Sequence, residues 1–312
     1  LGLRSQTQKL RFVTPETEGR FLKPTLPHRE VLEIVEKRFG VSLPKPVFAQ
    51  SFVGEALSQI YSPFYVEGKV FDAILNRPIS SSLPEDFDES TLQDERPAWP
   101  IRFVPALCPN CGWDMEGQRD SLAMNCRNCD SVWLATKKGF TKLPYGHMSA
   151  KEDNLTYLPF YRIRATVSGI TLDSYADLIK VANLPKVPLE EWKERAFRFW
   201  FPAFKIRPQE LLRFSRNLTL AQPEDNWVSS LPETGNTHAV TLSIQEALEG
   251  LKINLASFMK PPSLLPRLQD IQIKPKTFML VYIPFRERGM ELSQPAYRLR
   301  INKNLLAYAR HL

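Results

Sequence analysis

The chain has 312 residues, of which 43% are hydrophobic and 24% charged. These proportions exclude a mainly disordered chain, and the length permits a sizeable core without disulfide staples. A total of 26 prolines against 13 glycines favours short segments with stiff connections over long helices. No stretch approaches about 18 consecutive apolar residues, so no transmembrane helix is written in the sequence. The first 20 residues, through Arg20, are polar and show no signal-peptide h-region. All four cysteines fall in paired motifs, which suits a reducing compartment, and the chain reads as cytoplasmic.

In chain order, residues 1–29 read as an extended arm with scattered prolines. Arg29 to Phe39 places Val31, Leu32, Val35 and Phe39 on one helical face, with Gly40 as a stop. Ile60 to Ile79 has the pattern of a hairpin turning at Glu67-Gly68. These two elements make an N-terminal module over residues 30–79. Residues 80–100 are rich in Ser, Pro, Asp and Glu and read as an acidic linker. The cysteines occupy 101–147, and a C-terminal region spans 148–312. There the pattern predicts strands over Leu155–Val167, Ile271–Phe285 and Ala296–Ile301. It predicts helices over Leu172–Ala182, Leu189–Phe197, Gln209–Arg216 and Ser243–Phe258. The last has a Ser243/Glu246 capping box and a stripe of Ala247, Leu248, Leu251 and Leu255. Residues 221–238 are loop-like.

Four segments share an aromatic–proline pattern: Tyr61-Ser-Pro63-Phe64-Tyr65, Tyr157-Leu-Pro159-Phe160-Tyr161, Trp200-Phe-Pro202-Ala-Phe204 and Tyr282-Ile-Pro284-Phe285. The first and fourth also share a glycine five residues after the proline, Gly68 and Gly289. Proline cannot donate to a β ladder, so each must sit at an edge or bulge. Two roles fit: a duplicated β unit that builds the scaffold, or an exposed aromatic platform for bases or a peptide.

The sharpest signal is Cys108-Pro-Asn-Cys111-Gly followed by Cys126-Arg-Asn-Cys129-Asp. Two intervening residues let both thiolates of a pair point into one tight turn. Gly112 and Asp130 follow the pairs, where a positive φ is often needed. Such pairing is a structural zinc signature. Residues Val104 to Trp133 resemble the zinc-ribbon, or rubredoxin-like, family. That resemblance implies one structural zinc held by Cys108, Cys111, Cys126 and Cys129. Four thiolates close the shell, which argues against hydrolytic zinc catalysis. Iron of the rubredoxin type, and disulfides or redox-active C-x-x-C pairs, are the alternatives. The Y-x-P-F strands resemble those of uncharacterised bacterial zinc-ribbon proteins, which supports the scaffold role and implies no activity.

No phosphate-binding loop, H-E-x-x-H or G-x-S-x-G occurs, and His28, His147, His238 and His311 lie far apart without motif partners. His147 reads as a surface residue. The chain is therefore expected to be non-catalytic, with no small-molecule substrate evident. From Phe258 to Leu312 ten Lys or Arg oppose three acidic residues, a surplus equal to the net +7 of the whole chain. Arg286, Arg288, Arg298, Arg300, Lys303 and Arg310 are candidates for contact with a partner or nucleic acid. The expected fold is α+β, with mostly antiparallel β modules, a four-cysteine zinc ribbon and a few peripheral helices. The expected function is a scaffold or accessory subunit that docks on protein partners in a larger complex. The alternatives are a nucleic-acid-binding protein using the basic C-terminal segment and a rubredoxin-like electron carrier.

Overall fold

A computed structural model describes residues 13, 16–27, 30, 31, 33, 34, 37, 48, 49, 51, 53, 61–95 and 104–308, except 137, 153, 225 and 233–235. Its contacts fall into two units, Leu1–Pro46 with Leu57–Phe103 and Val47–Ala56 with Val104–Leu312. The architecture is α+β and mostly antiparallel, as the sequence leads one to expect.

In the first unit, Glu30, Val31, Glu33, Ile34 and Lys37 are helical. The other positions of the helix expected over Arg29–Phe39 lie outside the described residues. The expected hairpin forms from β1 (Phe64–Val66) and β2 (Val70–Asp72), with Val66 opposite Val70 and Gly68 at φ 65° in the turn. A third strand, β3 (Arg77–Pro78), pairs with β2. The acidic stretch does not stand apart from this unit. Leu22 bridges Asp94, and Arg20 donates to the Asp94 carboxylate at 2.6 Å and to the Leu92 carbonyl at 2.8 Å.

The second unit begins with a three-stranded antiparallel sheet, β4 (Ala123–Cys126), β5 (Ser131–Thr136) and β6 (Gly139–Leu143), in that order. It continues through β7 (Tyr145–Met148) into an eight-stranded sheet whose centre is a long antiparallel pair. This pair is β8 (Leu155–Ser168) and β12 (Gln272–Arg288). Between them in sequence lie helix α1 (Tyr175–Val181), the single turn α2 (Glu191–Glu194), and β9 (Phe199–Pro202). There follow α3 (Pro208–Ala221), β10 (Trp227–Val228), β11 (Asn236–Thr237) and α4 (Ile244–Phe258). After β12 the chain closes with β13 (Glu291–Gln294), β14 (Leu299–Asn302) and α5 (Lys303–Tyr308).

The α4 helix starts where its capping box puts it, with Ser243 Oγ accepting from the Glu246 N–H. Three elements differ from the sequence pattern. Only Glu191–Glu194 of the expected 189–197 helix is helical, because Ala196 bridges Ser174 and the chain then enters β9. The α3 helix runs past Arg216 to Ala221, since Leu218 and Thr219 are buried and the left-handed Gln222 ends it. Residues Pro295–Tyr297 form a 3-10 turn rather than a strand, and Arg298 at φ 53° redirects the chain into β14.

Three of the four aromatic–proline segments meet in the large sheet. Tyr157 faces Pro284, Leu158 faces Ile283 and Pro159 faces Tyr282, so the second and fourth segments pair with each other antiparallel. The third joins on the far edge of β8, with Pro202 opposite Phe160. Each proline stands where its missing N–H loses no ladder bond. On β8 the neighbour changes from β11, paired at Thr156 and Tyr157, to β9, paired from Phe160 onward. Pro159 lies at that change, and its carbonyl still accepts from Ala203 N–H at 3.0 Å. On β12 the neighbour changes from β7, paired to Leu280–Tyr282, to β13, paired to Arg286–Arg288. Pro284 lies at that change, and its carbonyl accepts from the Gln294 side chain at 2.7 Å. The requirement for an edge is thus met by local edges in the middle of a sheet.

The outer edge of β9 faces α3. Gln222 imitates a strand there, its Oε1 accepting from Arg198 N–H at 3.0 Å and its amide donating to the Arg198 carbonyl at 2.5 Å. One step on, Thr219 Oγ1 accepts from Trp200 N–H at 3.0 Å and Ser215 Oγ donates to the Trp200 carbonyl at 2.9 Å. The next outward-facing residue is Pro202, which has no N–H to satisfy. A buried strand edge is closed this way with no unpaired donor at these positions.

Both faces of the β8/β12 pair are covered. On one face Phe160 and Phe285 stack with Phe214 of α3 at centroid distances of 6.2–6.3 Å. On the other, Tyr161 donates to the Leu242 carbonyl and Tyr282 to Asn125 Oδ1, and burial pushes the Tyr282 phenol up to about 12. Gly250 of α4 lies against the Phe201 ring, and a Cβ there would fall 2.5 Å from the ring's Cζ. Gly250→Ala gains about 1 kcal/mol of helix propensity, but forcing a methyl into this packed contact costs about 1–3 kcal/mol. The variant should therefore be less stable than wild type, which a denaturant melt will show.

Candidate metal centre

The two cysteine pairs sit on two tight turns carried by the small sheet. The first turn is closed by the Leu107–Asp114 bridge and by Cys108 N–H donating to the Trp113 carbonyl at 2.8 Å. Gly112, at φ 71°, ends it, and its N–H returns to the Cys108 carbonyl at 2.8 Å. A bridge between Glu116 and Asn125 ties this turn to β4. The second turn connects β4 to β5, with Asp130 at φ 47° in the place that Gly112 holds in the first. The positive φ expected after each pair is therefore present at both.

The four sulfurs converge. Cys108 Sγ is 3.5 Å from Cys129 Sγ, Cys111 Sγ is 3.5 Å from Cys126 Sγ, and all four lie within 4.8 Å of one another. For metal–sulfur bonds of about 2.3 Å, the edges of a tetrahedron measure about 3.8 Å. The four cysteines thus suit a metal ion in a closed four-sulfur shell. The nearest sulfur pairs join opposite turns, not the two ends of one C-x-x-C, and all four cysteines are free. That arrangement differs from a redox C-x-x-C, in which the two sulfurs of one motif pair.

A small core lies beneath the sulfurs. Cys108, Cys126, Met115 and Trp133 are buried together, with Met124 and Phe140 against them. Ser131, buried, lies 3.0 Å from Cys129 Sγ and 3.8 Å from Cys108 Sγ, and its Oγ accepts from the Trp133 indole at 2.8 Å. It links the metal turns to the aromatic floor. Burial opposes charge on Cys108, but the N–H groups of Cys111 and Asn110, with Cys129 and Ser131, outweigh it and hold the thiol down to about 6. Cys111 is lowered by the Asn128 side chain and the Trp113 backbone. Burial pushes Cys126 up to about 12. Without a cation the site accommodates some negative charge but keeps Cys126 protonated.

The other residues singled out in the sequence are placed differently. His147 is half-buried rather than superficial, with Nδ1 2.8 Å from the Ser230 carbonyl. Among the described residues it does not join the sulfur cluster. The aromatic–proline rings of the second unit offer no stacking platform. Tyr157, Phe160, Tyr161, Trp200, Phe204, Tyr282 and Phe285 are each 3% exposed or less. They are core, because the sheet that carries them is covered on both faces. In the first unit Phe64 is 50% exposed, and Tyr65 stacks on Phe71 at 5.0 Å.

The basic residues lie on and beside the β12–β13–β14 meander, where Arg286, Arg288 and Arg300 share its outer face. Arg286 pairs with Glu152, Lys303 lies 2.5 Å from Glu287, and Arg300 is 3.9 Å from Glu291. The surplus counted along the sequence is thus partly neutralised in space, by Glu152 from the loop before β8 as well as by local acids. Arg298 takes the left-handed turn before β14, and Arg310 lies outside the described residues.

Comparison of the chain with protein-family models, curated proteins and solved structures finds no match.

Two outcomes follow from this geometry. Ser131→Ala keeps all four sulfurs but leaves the buried Trp133 N–H without its acceptor, and should cost about 1–3 kcal/mol in a denaturant melt. Metal loading must remove the proton held by Cys126, so at pH 7 it should release protons into a weakly buffered indicator solution. By linkage, affinity should fall about tenfold per pH unit for each proton released as the solution is acidified.

Proposed function

We propose that this is a non-catalytic zinc-ribbon protein that acts as a scaffold or accessory subunit, with one zinc as its structural metal. The observation that carries this reading is the four-sulfur cluster itself, set on the β4–β5 turn of a three-stranded antiparallel sheet and on an earlier turn bridged to β4. A four-thiolate shell leaves no coordination position for an activated water, so the metal's contribution is folding energy. The burial of the aromatic–proline rings in the second unit supports the scaffold assignment for those segments. Docking on protein partners would then fall to exposed apolar groups elsewhere. Trp113 is 61% exposed on the first cysteine turn, with Val104 and Leu107 exposed nearby, and Phe64 and Leu75 are exposed on the first unit. Exposed aromatic anchors of this kind are what protein interfaces bury. The ion pairs on the C-terminal meander weaken the case for tracking nucleic-acid phosphates. Among the described residues no helix is long and apolar enough to cross a membrane.

Purified protein should be colourless and contain one zinc per chain. Cys126→Ser should lose that zinc and melt at a lower temperature. Red protein containing iron would support electron transfer instead. A pulldown from native lysate, split with and without nuclease, tests the partner. A fixed protein set that survives nuclease supports the accessory role, and recovery of nucleic acid with loss of partners after nuclease overturns it.

A further inference from the structure

The second cysteine turn makes contacts beyond the sulfur cluster. Its intervening and flanking side chains reach about a hundred residues along the chain. Arg127 Nη1 donates to the Pro232 carbonyl at 2.6 Å, and Asp130 Oδ1 accepts from the Leu231 N–H at 2.8 Å. Tyr145 donates to the Asp130 carbonyl from the other side. Leu231 and Pro232 are buried at this contact. Residues 227–232 thus form a strap whose one end is seated on the Cys126–Asp130 turn.

The other end is seated on β7. Trp227 pairs with Met148 and Val228 with His147, and the Ser230 carbonyl meets His147 Nδ1. The strap lies so close to Gly146 that a Cβ there would be 2.9 Å from the Val228 carbonyl oxygen. The Trp227 ring in turn lies 4.4 Å from the Arg162 guanidinium. Arg162 lines a cavity of about 460 Å³ together with Arg195, Arg198, Gln222 and Glu224. A continuous set of contacts therefore runs from the cysteine turn, through the strap, to one wall of this cavity.

We infer that metal occupancy controls the seating of the Leu231–Pro232 end of the 227–232 strap. This rests on the reading that the four cysteines hold a metal. The reason is geometric. Arg127 lies between two ligands and Asp130 follows the second, so their directions are set by a turn whose ends the metal pins. When the ligands are released, the turn loses its cross-link and the two bonds to Leu231 and Pro232 lose their fixed partners. The β7 contacts of Trp227 and Val228 do not pass through the cysteines, so release should begin at the Leu231 end.

The test is hydrogen exchange of the full chain, loaded with one equivalent of zinc and stripped with a chelator, with metal content measured on both. The peptide covering 227–232 should exchange about tenfold faster in the stripped protein, while the α4 peptide, residues 244–258, stays protected. Asp130→Gly separates this coupling from general loss of stability. Glycine accepts φ 47° without strain and removes the carboxylate. This variant should retain one zinc yet exchange the 227–232 peptide faster than loaded wild type. Equal protection in loaded and stripped wild type overturns the inference, as does full protection in loaded Asp130→Gly. Failure of wild type to bind zinc at all instead overturns the metal reading on which it rests. A stripped protein that loses protection everywhere leaves the Asp130→Gly comparison to decide.

Discussion

The fold of the second unit is organised by a donor that proline lacks. A proline inside a sheet forfeits a ladder bond, and β8 and β12 each carry one near the middle of the largest sheet. The structure resolves this by changing the neighbouring strand at the proline. At Pro159 the partner passes from β11 to β9, and at Pro284 from β7 to β13. The two prolines face Tyr282 and Tyr157 across the shared ladder, so two similar segments meet in antiparallel register and split the sheet at equivalent points. Short strands then suffice on either side, in keeping with a chain rich in proline and poor in glycine.

From that arrangement the helices acquire their task. Because β9 ends the sheet on one side of β8, its outer backbone groups are buried and must be satisfied. Gln222, Thr219 and Ser215 of α3 and its cap supply the partners, and Asn254 of α4 donates to Thr219 Oγ1 at 3.0 Å. A buried polar set of this kind raises the cost of misplacing α3, since each unmade bond leaves a desolvated group behind. The helices are therefore registered on the sheet by hydrogen bonds as well as by the packing of Phe214 on Phe160 and Phe285.

The cysteine cluster draws on a small core of its own, and its sheet is joined to the large core by Ala123, Val132 and Leu143 and by polar contacts. Asn125 accepts from Tyr282, Leu122 N–H donates to the Val240 carbonyl at 2.7 Å, and Asp130 and Arg127 hold the strap. A metal held by the four sulfurs would cross-link two turns in a region whose apolar floor, chiefly Met115 and Trp133, is small. This is the circumstance in which a structural metal contributes most to stability.

What the sequence determined by itself was local. The C-x-x-C spacing, the residues after each pair, the Ser243/Glu246 box and the Gly68 turn are all legible because each rests on contacts a few residues apart. The turn geometry follows from φ preferences and reach alone. What the tertiary structure decided was exposure, pairing and charge. Sequence patterns left open whether Tyr157, Phe160 and Tyr282 face solvent. They are core because two strands more than a hundred residues apart pair and are then covered on both faces. Arg286 counts toward a basic tail along the chain, yet in space it meets Glu152. Asp130 is legible as a residue tolerant of positive φ, while its bond to Leu231 is not. Burial, cross-strand register and ion pairing depend on which distant segments meet. No rule of spacing along the chain encodes that, because the free energy that selects it is summed over the whole core.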